Sequence, residues 1–143
     1  MKILVIHGPN LDRLGSRELA VYGTQTLAQV NDDIRATAAE LDLEVAITQT
    51  AREGEIIELL HAAADDVAGA VLNPAAYSHT SRAIADAIRA TPYPVIEVHL
   101  SNIHAREPWR RRSVTAEAAV GIIAGFGSGS YLAALRVLKG LVS

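Results

Sequence analysis

The chain has 143 residues, a length typical of one domain that buries its own core, so we expect a single domain over residues 1–143. Its net charge of −3 argues against a nucleic-acid binder, and the lack of cysteine excludes disulfides, thiolate nucleophiles and zinc–thiolate sites. Apolar residues form only short runs, and the first six residues lack the longer core of a signal peptide, so we expect a cytoplasmic protein without a membrane span.

The first third of the chain predicts two strands and one helix. Residues 2–7 are rich in Ile, Val and Leu, the pattern of a buried parallel strand. A polar, glycine-rich segment over residues 8–24 follows. The capping-box pattern TLAQ at residues 26–29 begins a helix that reaches about residue 41. Residues 44–48 predict the second strand.

The middle of the chain continues the alternation. Residues 55–66 predict a second helix whose apolar side is formed by isoleucine and leucine. A third strand is predicted over residues 68–72. Thr80 or Ser81 can cap a third helix that reaches Arg89.

The last third predicts two more strands and a closing helix. The strands are predicted over residues 95–99 and 120–124. Ser128 or Ser130 begins the closing helix, which runs through residue 142.

The alternation of strands and helices predicts an α/β fold with right-handed βαβ crossovers around a parallel sheet. A flavodoxin-like three-layer sandwich, with a five-stranded parallel sheet and helices on both faces, is the natural solution at this length. We take the strand order 2-1-3-4-5 from that fold, because one sequence does not determine it.

Polar residues gather just beyond the carboxyl ends of three predicted strands. The first strand leads to Asn10, the third to Asn73 and His79, and the fourth to His99 and Arg106. Ligands of open parallel sheets bind beyond these strand ends. In the assumed order the three strands are neighbours, so we expect the three groups to share one crevice.

Glu97 and His99 stand two residues apart on the fourth predicted strand, so their side chains point to the same face. A carboxylate in a buried strand is costly unless it is paired. Orienting the imidazole of a catalytic histidine would explain it. The alternative interpretation is that both residues emerge at a solvated strand end.

Arg17 and Tyr22 lie in the loop after the first strand. A free tyrosine is a poor base at neutral pH, and a cation within about 4–6 Å stabilises its phenolate form. Arg17 could therefore turn Tyr22 into a base, with Arg106 adding to the effect. Arginine and tyrosine in a loop are also common as plain surface residues, and residue types alone do not decide between these interpretations.

Four segments form an ordered set of motifs across nearly the whole chain. They are HGPNLDRLGSRE at residues 7–18, NPAAYSHTS at residues 73–81, IEVHLSNIHAREPWR at residues 96–110 and GFG at residues 125–127. Together with Tyr22 and Tyr131, they resemble the signatures of type II 3-dehydroquinate dehydratases, or type II dehydroquinases. The resemblance implies a lyase of the shikimate pathway that converts 3-dehydroquinate to 3-dehydroshikimate by anti elimination of water through an enolate. It implies no cofactor.

The resemblance also implies the roles in the first half of the reaction. Tyr22 would be the tyrosinate that removes the proton beside the ketone. Arg17 would stabilise the tyrosinate, with Arg106 as a second cation. Asn10 would position the water or dipole that stabilises the enolate oxygen.

For the second half, the resemblance makes His99 the general acid that protonates the departing hydroxyl, oriented by Glu97. Asp86 matches a position through which a neighbouring subunit completes the pocket. The family usually forms trimers packed into a dodecamer, so a homo-oligomer is expected. Substrate binding would fall to Asn73, His79, Leu100, Ser101 and Arg110.

Some positions depart from the family pattern. His7 and Asp12 stand where asparagine is common, and Leu19 stands where proline is common. We expect Leu19 to alter the mobility of the segment that carries Tyr22, and Asp12 to affect the affinity for an anionic substrate.

Three rival interpretations remain open. One is a hydro-lyase or isomerase acting on a related cyclic polyol acid, and another is a non-catalytic flavodoxin-like signalling or ligand-binding module. A metal enzyme is the third, although the five histidines lack tight ligand spacing. The dehydroquinases that use a lysine Schiff base have a TIM barrel, for which this chain is too short. The same elimination serves both aromatic biosynthesis and quinate breakdown.

Overall fold

The computed structural model describes residues 1–16 and 18–143. Its centre is a five-stranded sheet in the order β2-β1-β3-β4-β5, with every neighbouring pair parallel. The fold prediction is therefore confirmed, including the strand order. The strands are β1 (Lys2–His7), β2 (Glu44–Gln49), β3 (Gly69–Asn73), β4 (Val95–His99) and β5 (Gly121–Ala124).

Helices cover both faces of the sheet, because the central strands present apolar side chains on each face. Ile3 on β1 packs with Ile34 and Leu135 on one face. Leu4 packs with Ile56 and Ile84 on the other face. The helices are α1 (Leu19–Tyr22), α2 (Leu27–Glu40), α3 (Glu53–Ala62), α4 (Arg82–Ala90) and α5 (Gly129–Val142).

The predicted helix starts are confirmed at α2 and α4. Thr26 and Gln29 form the capping box of α2, with 2.9 and 3.2 Å between donor and acceptor atoms. Ser81, rather than Thr80, caps α4 by accepting a bond from the backbone N–H of Ile84 at 3.0 Å.

One expectation about a helix was wrong. The α3 helix covers Glu53–Ala62 instead of residues 55–66, because the chain turns back after Ala63 so that Ala68 can bond to Lys2 at the start of the sheet. The start of the closing helix is confirmed at Ser128, the N-cap residue of α5, although its hydroxyl donates to Asp33 instead of accepting from the helix backbone.

A short helix also lies in the segment where a polar loop was expected. The helix α1 has only four residues, too few to show a periodic pattern in the sequence. It ends at Gly23, whose φ of 76° favours glycine. Within the two described stretches, no helix combines the length and apolar character needed to cross a membrane.

Candidate active site

A cavity of about 100 Å³ opens beyond the carboxyl ends of β1, β3 and β4. This is where ligands of open parallel sheets bind. The prediction that the three polar groups share one crevice is confirmed. The predicted site residues that line the cavity are Asn10, Tyr22, Asn73, His79, His99, Leu100, Ser101, Arg106 and Arg110.

The end of β1 lies against the end of β3 because residue 8 is glycine. Its N–H donates to the carbonyl of Asn73 at 2.8 Å, and a Cβ on Gly8 would lie 2.8 Å from that same oxygen. Any larger residue would therefore force the two strand ends apart. Beyond this contact, Asn10 adopts a left-handed conformation with φ of 69°, which asparagine tolerates better than most residues. This turn places Asn10 at the cavity.

Glu97 and His99 form the buried pair that their spacing predicts. His99 Nε2 lies 2.7 Å from Glu97 Oε2, and Glu97 is 0% exposed. Ser113 donates to the same oxygen at 2.6 Å, and Thr115 donates to Oε1. Since the carboxylate only accepts, Nε2 of His99 carries a proton when the carboxyl group is ionised. These bonds lie on the side of the His99 ring that faces away from the cavity, and they hold the ring in one orientation.

The side chain of Arg106, a residue that follows β4, contacts Tyr22 in α1. Its Nη1 donates to the hydroxyl of Tyr22 at 2.7 Å, and its guanidinium carbon lies 5.0 Å from the centre of the Tyr22 ring. The same nitrogen lies 3.4 Å from the hydroxyl of Ser101, and Nη2 lies 3.3 Å from Glu18. A largely buried cation therefore bonds directly to the tyrosine oxygen.

His79 lies beside His99, with ring centres 6.3 Å apart. Its Nδ1 donates to the carbonyl of Arg112 at 2.8 Å, which leaves Nε2 as the nitrogen that a ligand would meet. Burial lowers the pKa of His79, although the bond to Arg112 acts in the opposite direction. His79 is therefore neutral at pH 7, and Nε2 can accept a hydrogen bond.

Arg110 brings a second cation to the cavity. Its guanidinium carbon lies 4.1 Å from the ring centre of Trp109, and its Nε donates to Glu107 at 3.1 Å. Both contacts hold the guanidinium from the sides and leave its two terminal nitrogens for an anion.

Two predicted site residues among those described, Glu97 and Asp86, are not in the cavity wall. Glu97 lies behind His99. Asp86 lies on the outer surface of α4, where it pairs with Arg89 at 3.4 Å and faces a separate depression. Arg17 lies outside the described residues.

The sequence did not identify the two hydroxyl groups that donate hydrogen bonds to the carboxylate of Glu97. Ser113 and Thr115 stand just before β5, in a segment without periodicity. The only signal was the buried carboxylate itself, which requires hydrogen-bond donors from some part of the chain.

Comparison with known proteins agrees with this geometry. Residues 1–139 match the model of the family described as Dehydroquinase class II. The chain belongs to the class II dehydroquinase family. The 3-dehydroquinate dehydratase of Chelativorans sp. (strain BNC1) is 54% identical over 137 residues, which cover 95% of this chain and 94% of that protein.

Solved class II dehydroquinases share the fold over nearly the whole chain. The crystal structure of the type II dehydroquinase from Butyrivibrio crossotus DSM 2876 has a TM-score of 0.95 and 40% identity, and covers 97% of each chain. The type II dehydroquinase from Propionibacterium acnes has a TM-score of 0.93 and 45% identity, and covers 97% of this chain and 96% of that one.

The two lysines of this class II dehydroquinase lie away from the cavity. Lys2 is at the amino end of β1, where it pairs with Asp66 at 3.0 Å, and Lys139 is in the last turn of α5. Within residues 1–16 and 18–143, no group of three or more His, Asp or Glu side chains is arranged to hold a metal ion.

Proposed function

We propose that the chain is one catalytic domain that dehydrates 3-dehydroquinate to 3-dehydroshikimate by anti elimination through an enolate. One observation carries the proposal: the guanidinium of Arg106 bonds to the hydroxyl of Tyr22 in the same cavity that the Glu97-supported imidazole of His99 enters. A base and an acid are thereby prepared at one site, which a dehydration requires.

In the first step, the oxygen of Tyr22 takes a proton from the carbon beside the ketone, and the C–H electron pair moves onto the ketone oxygen as an enolate. Arg106 stabilises the tyrosinate before the transfer, and Arg17, which lies outside the described residues, would add a second cation. Asn10 supplies a dipole, directly or through a water, to the enolate oxygen.

In the second step, the enolate re-forms the ketone, a C=C bond forms beside it, and the C–O bond to the departing hydroxyl breaks. His99 gives this oxygen a proton, so water leaves. Because Nε2 is held by Glu97, the substrate meets the ring at Nδ1. Glu97 stabilises the doubly protonated imidazole that precedes this transfer.

Substrate binding uses the remaining cavity residues. Arg110 pairs with the carboxylate, since its planar fork matches the two oxygens. Nε2 of His79 accepts a bond from a ring hydroxyl, and the side chain of Asn73 donates to another. The backbone at Leu100 and Ser101 completes the contacts.

Assembly completes the site. We propose that Asp86 acts in the cavity of a neighbouring copy, because it points away from its own cavity and is largely exposed. Exposed apolar side chains on and near β5 also favour a homo-oligomer, since Val120 is 63% and Phe126 is 73% exposed. From the family resemblance we infer that the assembly consists of trimers packed into a dodecamer. We place this enzyme in the cytoplasm and in the shikimate pathway, towards aromatic amino acids.

The test is to add 3-dehydroquinate to the purified protein and follow the ultraviolet absorbance of the conjugated enone. We expect turnover by untreated protein, by chelator-treated protein and by protein treated with borohydride in the presence of 3-dehydroquinate alike. No enone from the assembled protein would overturn the substrate assignment. Loss of activity after borohydride would instead indicate a Schiff base, and loss after chelation would indicate a metal.

A further inference from the structure

A chain of hydrogen bonds runs beneath the cavity and ends on Asn73. His7 Nε2 lies 2.7 Å from Oδ1 of Asn31, and His7 Nδ1 lies 2.8 Å from the hydroxyl of Tyr131. That hydroxyl lies 3.0 Å from Nδ2 of Asn73, whose Oδ1 lies 3.0 Å from the backbone nitrogen of Ala75. We call this chain of bonds the Asn73 relay. It connects α2, β1, α5 and β3.

The backbone of Ala75 sets the direction of each bond in the Asn73 relay. An N–H only donates, so Oδ1 of Asn73 accepts and Nδ2 donates to Tyr131. Tyr131 is 1% exposed and burial raises its pKa, so the hydroxyl keeps its proton and gives it to Nδ1 of His7. Nε2 of His7 then carries the ring proton and donates to Asn31.

We propose that His7 and Tyr131 are positioning residues that hold the carboxamide of Asn73 for substrate binding. One hydrogen on Nδ2 goes to Tyr131, and the other is directed at a substrate hydroxyl in the cavity. A flipped carboxamide would place Nδ2 against the N–H of Ala75, two donors face to face, so the Asn73 relay permits one orientation only. The inference rests on the proposed function, in which Asn73 binds the substrate.

The burial of His7 supports this role. His7 is 0% exposed at the end of a central strand, where an apolar side chain would pack at lower cost. Both ring nitrogens are used, and the bonds lead to a cavity residue rather than ending in the core.

The test compares Tyr131→Phe with Tyr93→Phe. Both tyrosines are buried and hydrogen-bonded, but Tyr93 donates to the carbonyl of Leu60 on the other face of the sheet. We expect Tyr131→Phe to raise the KM for 3-dehydroquinate about 10-fold with little change in kcat, the value of one well-placed hydrogen bond. Tyr93→Phe should leave both constants unchanged. In an Asn73→Ala background, Tyr131→Phe should change KM no further, whereas an undiminished effect there would overturn the proposal.

Variants of His7 provide a second arm if Tyr131→Phe folds poorly. His7→Asn keeps an acceptor facing Tyr131 and should retain the KM of the parent protein. His7→Leu removes the acceptor and should reproduce the tenfold rise. Equal KM values for the two variants would contradict the role of His7.

The direction of the bonds can be measured without substrate. A long-range proton–nitrogen NMR spectrum at neutral pH should show the ring of His7 protonated at Nε2, with His7→Asn identifying the signal. Protonation at Nδ1 would overturn the Asn73 relay. If the parent protein does not turn over 3-dehydroquinate, the proposed function and the role of Asn73 in it fail, while this spectrum still decides the bonding.

Discussion

The guanidinium of Arg106 donates a 2.7 Å hydrogen bond to the hydroxyl of Tyr22 and lies 5.0 Å from the centre of its ring. The two residues are 84 positions apart in the sequence, one after β4 and the other in α1. A charged donor on the phenol oxygen stabilises the phenolate more than the neutral phenol. This contact supports the proposal that Tyr22 acts as the base.

Replacing Arg106 by glutamine should make the base harder to form. We expect kcat/KM at neutral pH to fall about 10- to 100-fold, because the uncharged amide stabilises negative charge on the oxygen of Tyr22 less. Arg136→Gln, which removes a surface pair with Glu40, should leave kcat/KM unchanged. An unchanged kcat/KM in folded Arg106→Gln would contradict this role of Arg106.

Thr115→Val should weaken the hydrogen bonding that holds Glu97 and, through Glu97, the proposed general acid His99. The substitution keeps the shape of the side chain but removes the donor to Oε1 of Glu97. We expect a loss of about 1–3 kcal/mol in the free energy of unfolding and about a 10-fold lower kcat with KM unchanged. Thr37→Val, at a buried position on α2, serves as the control for activity. An unchanged kcat in folded Thr115→Val would show that Thr115 does not act through His99.

Acid should destabilise the fold through His7. Burial lowers the pKa of His7 to about 4, whereas an unfolded histidine titrates near 6.5. Between these pH values the unfolded chain binds the extra proton, so the free energy of unfolding falls as the pH falls through this window. The contribution is about 3 kcal/mol.

The measurement is denaturant unfolding at several pH values for the parent protein and His7→Asn. The carboxylates titrate in both proteins, so their difference isolates the imidazole. Parallel stability curves from pH 7 to pH 4 would contradict the assignment of a neutral, buried His7.

Subunit mixing tests whether Asp86 acts in a neighbouring copy. Tyr22→Phe and Asp86→Ala assemblies should each be inactive or nearly so. After co-refolding in equal amounts, about a quarter of the sites should combine an intact Tyr22 with an intact Asp86 from the next subunit. Recovered activity near that fraction supports a shared site. No recovery, although the mixed assemblies form, would place the effect of Asp86 within its own chain.

The fold was predictable because each central strand is a short, continuous apolar run. Residues 2–7 and 95–99 were assigned with the observed bounds, since strands buried on both faces leave a strong compositional signal. The end of α3 was predicted too late because the alanine-rich residues 62–64 favour helix locally, whereas the return to β3 requires a turn.

The site was predictable where spacing or the order of strands determined it. Glu97 and His99 share a face because they are two residues apart on one strand. Asn73 and Asn10 line the same cavity because β1 and β3 are neighbours. The support of Glu97 by Thr115 was not predictable, because contacts between irregular segments leave no periodic signal in one sequence.

The most direct test of the central claim uses 3-dehydroquinate carrying deuterium on one face of the carbon beside the ketone. Proton NMR of the product then reports which hydrogen was removed. If Tyr22 removes the proton and His99 protonates the hydroxyl leaving from the opposite face, deuterium trans to that hydroxyl is lost to solvent and deuterium cis to it is retained. Retention of the trans deuterium in the product would contradict the account.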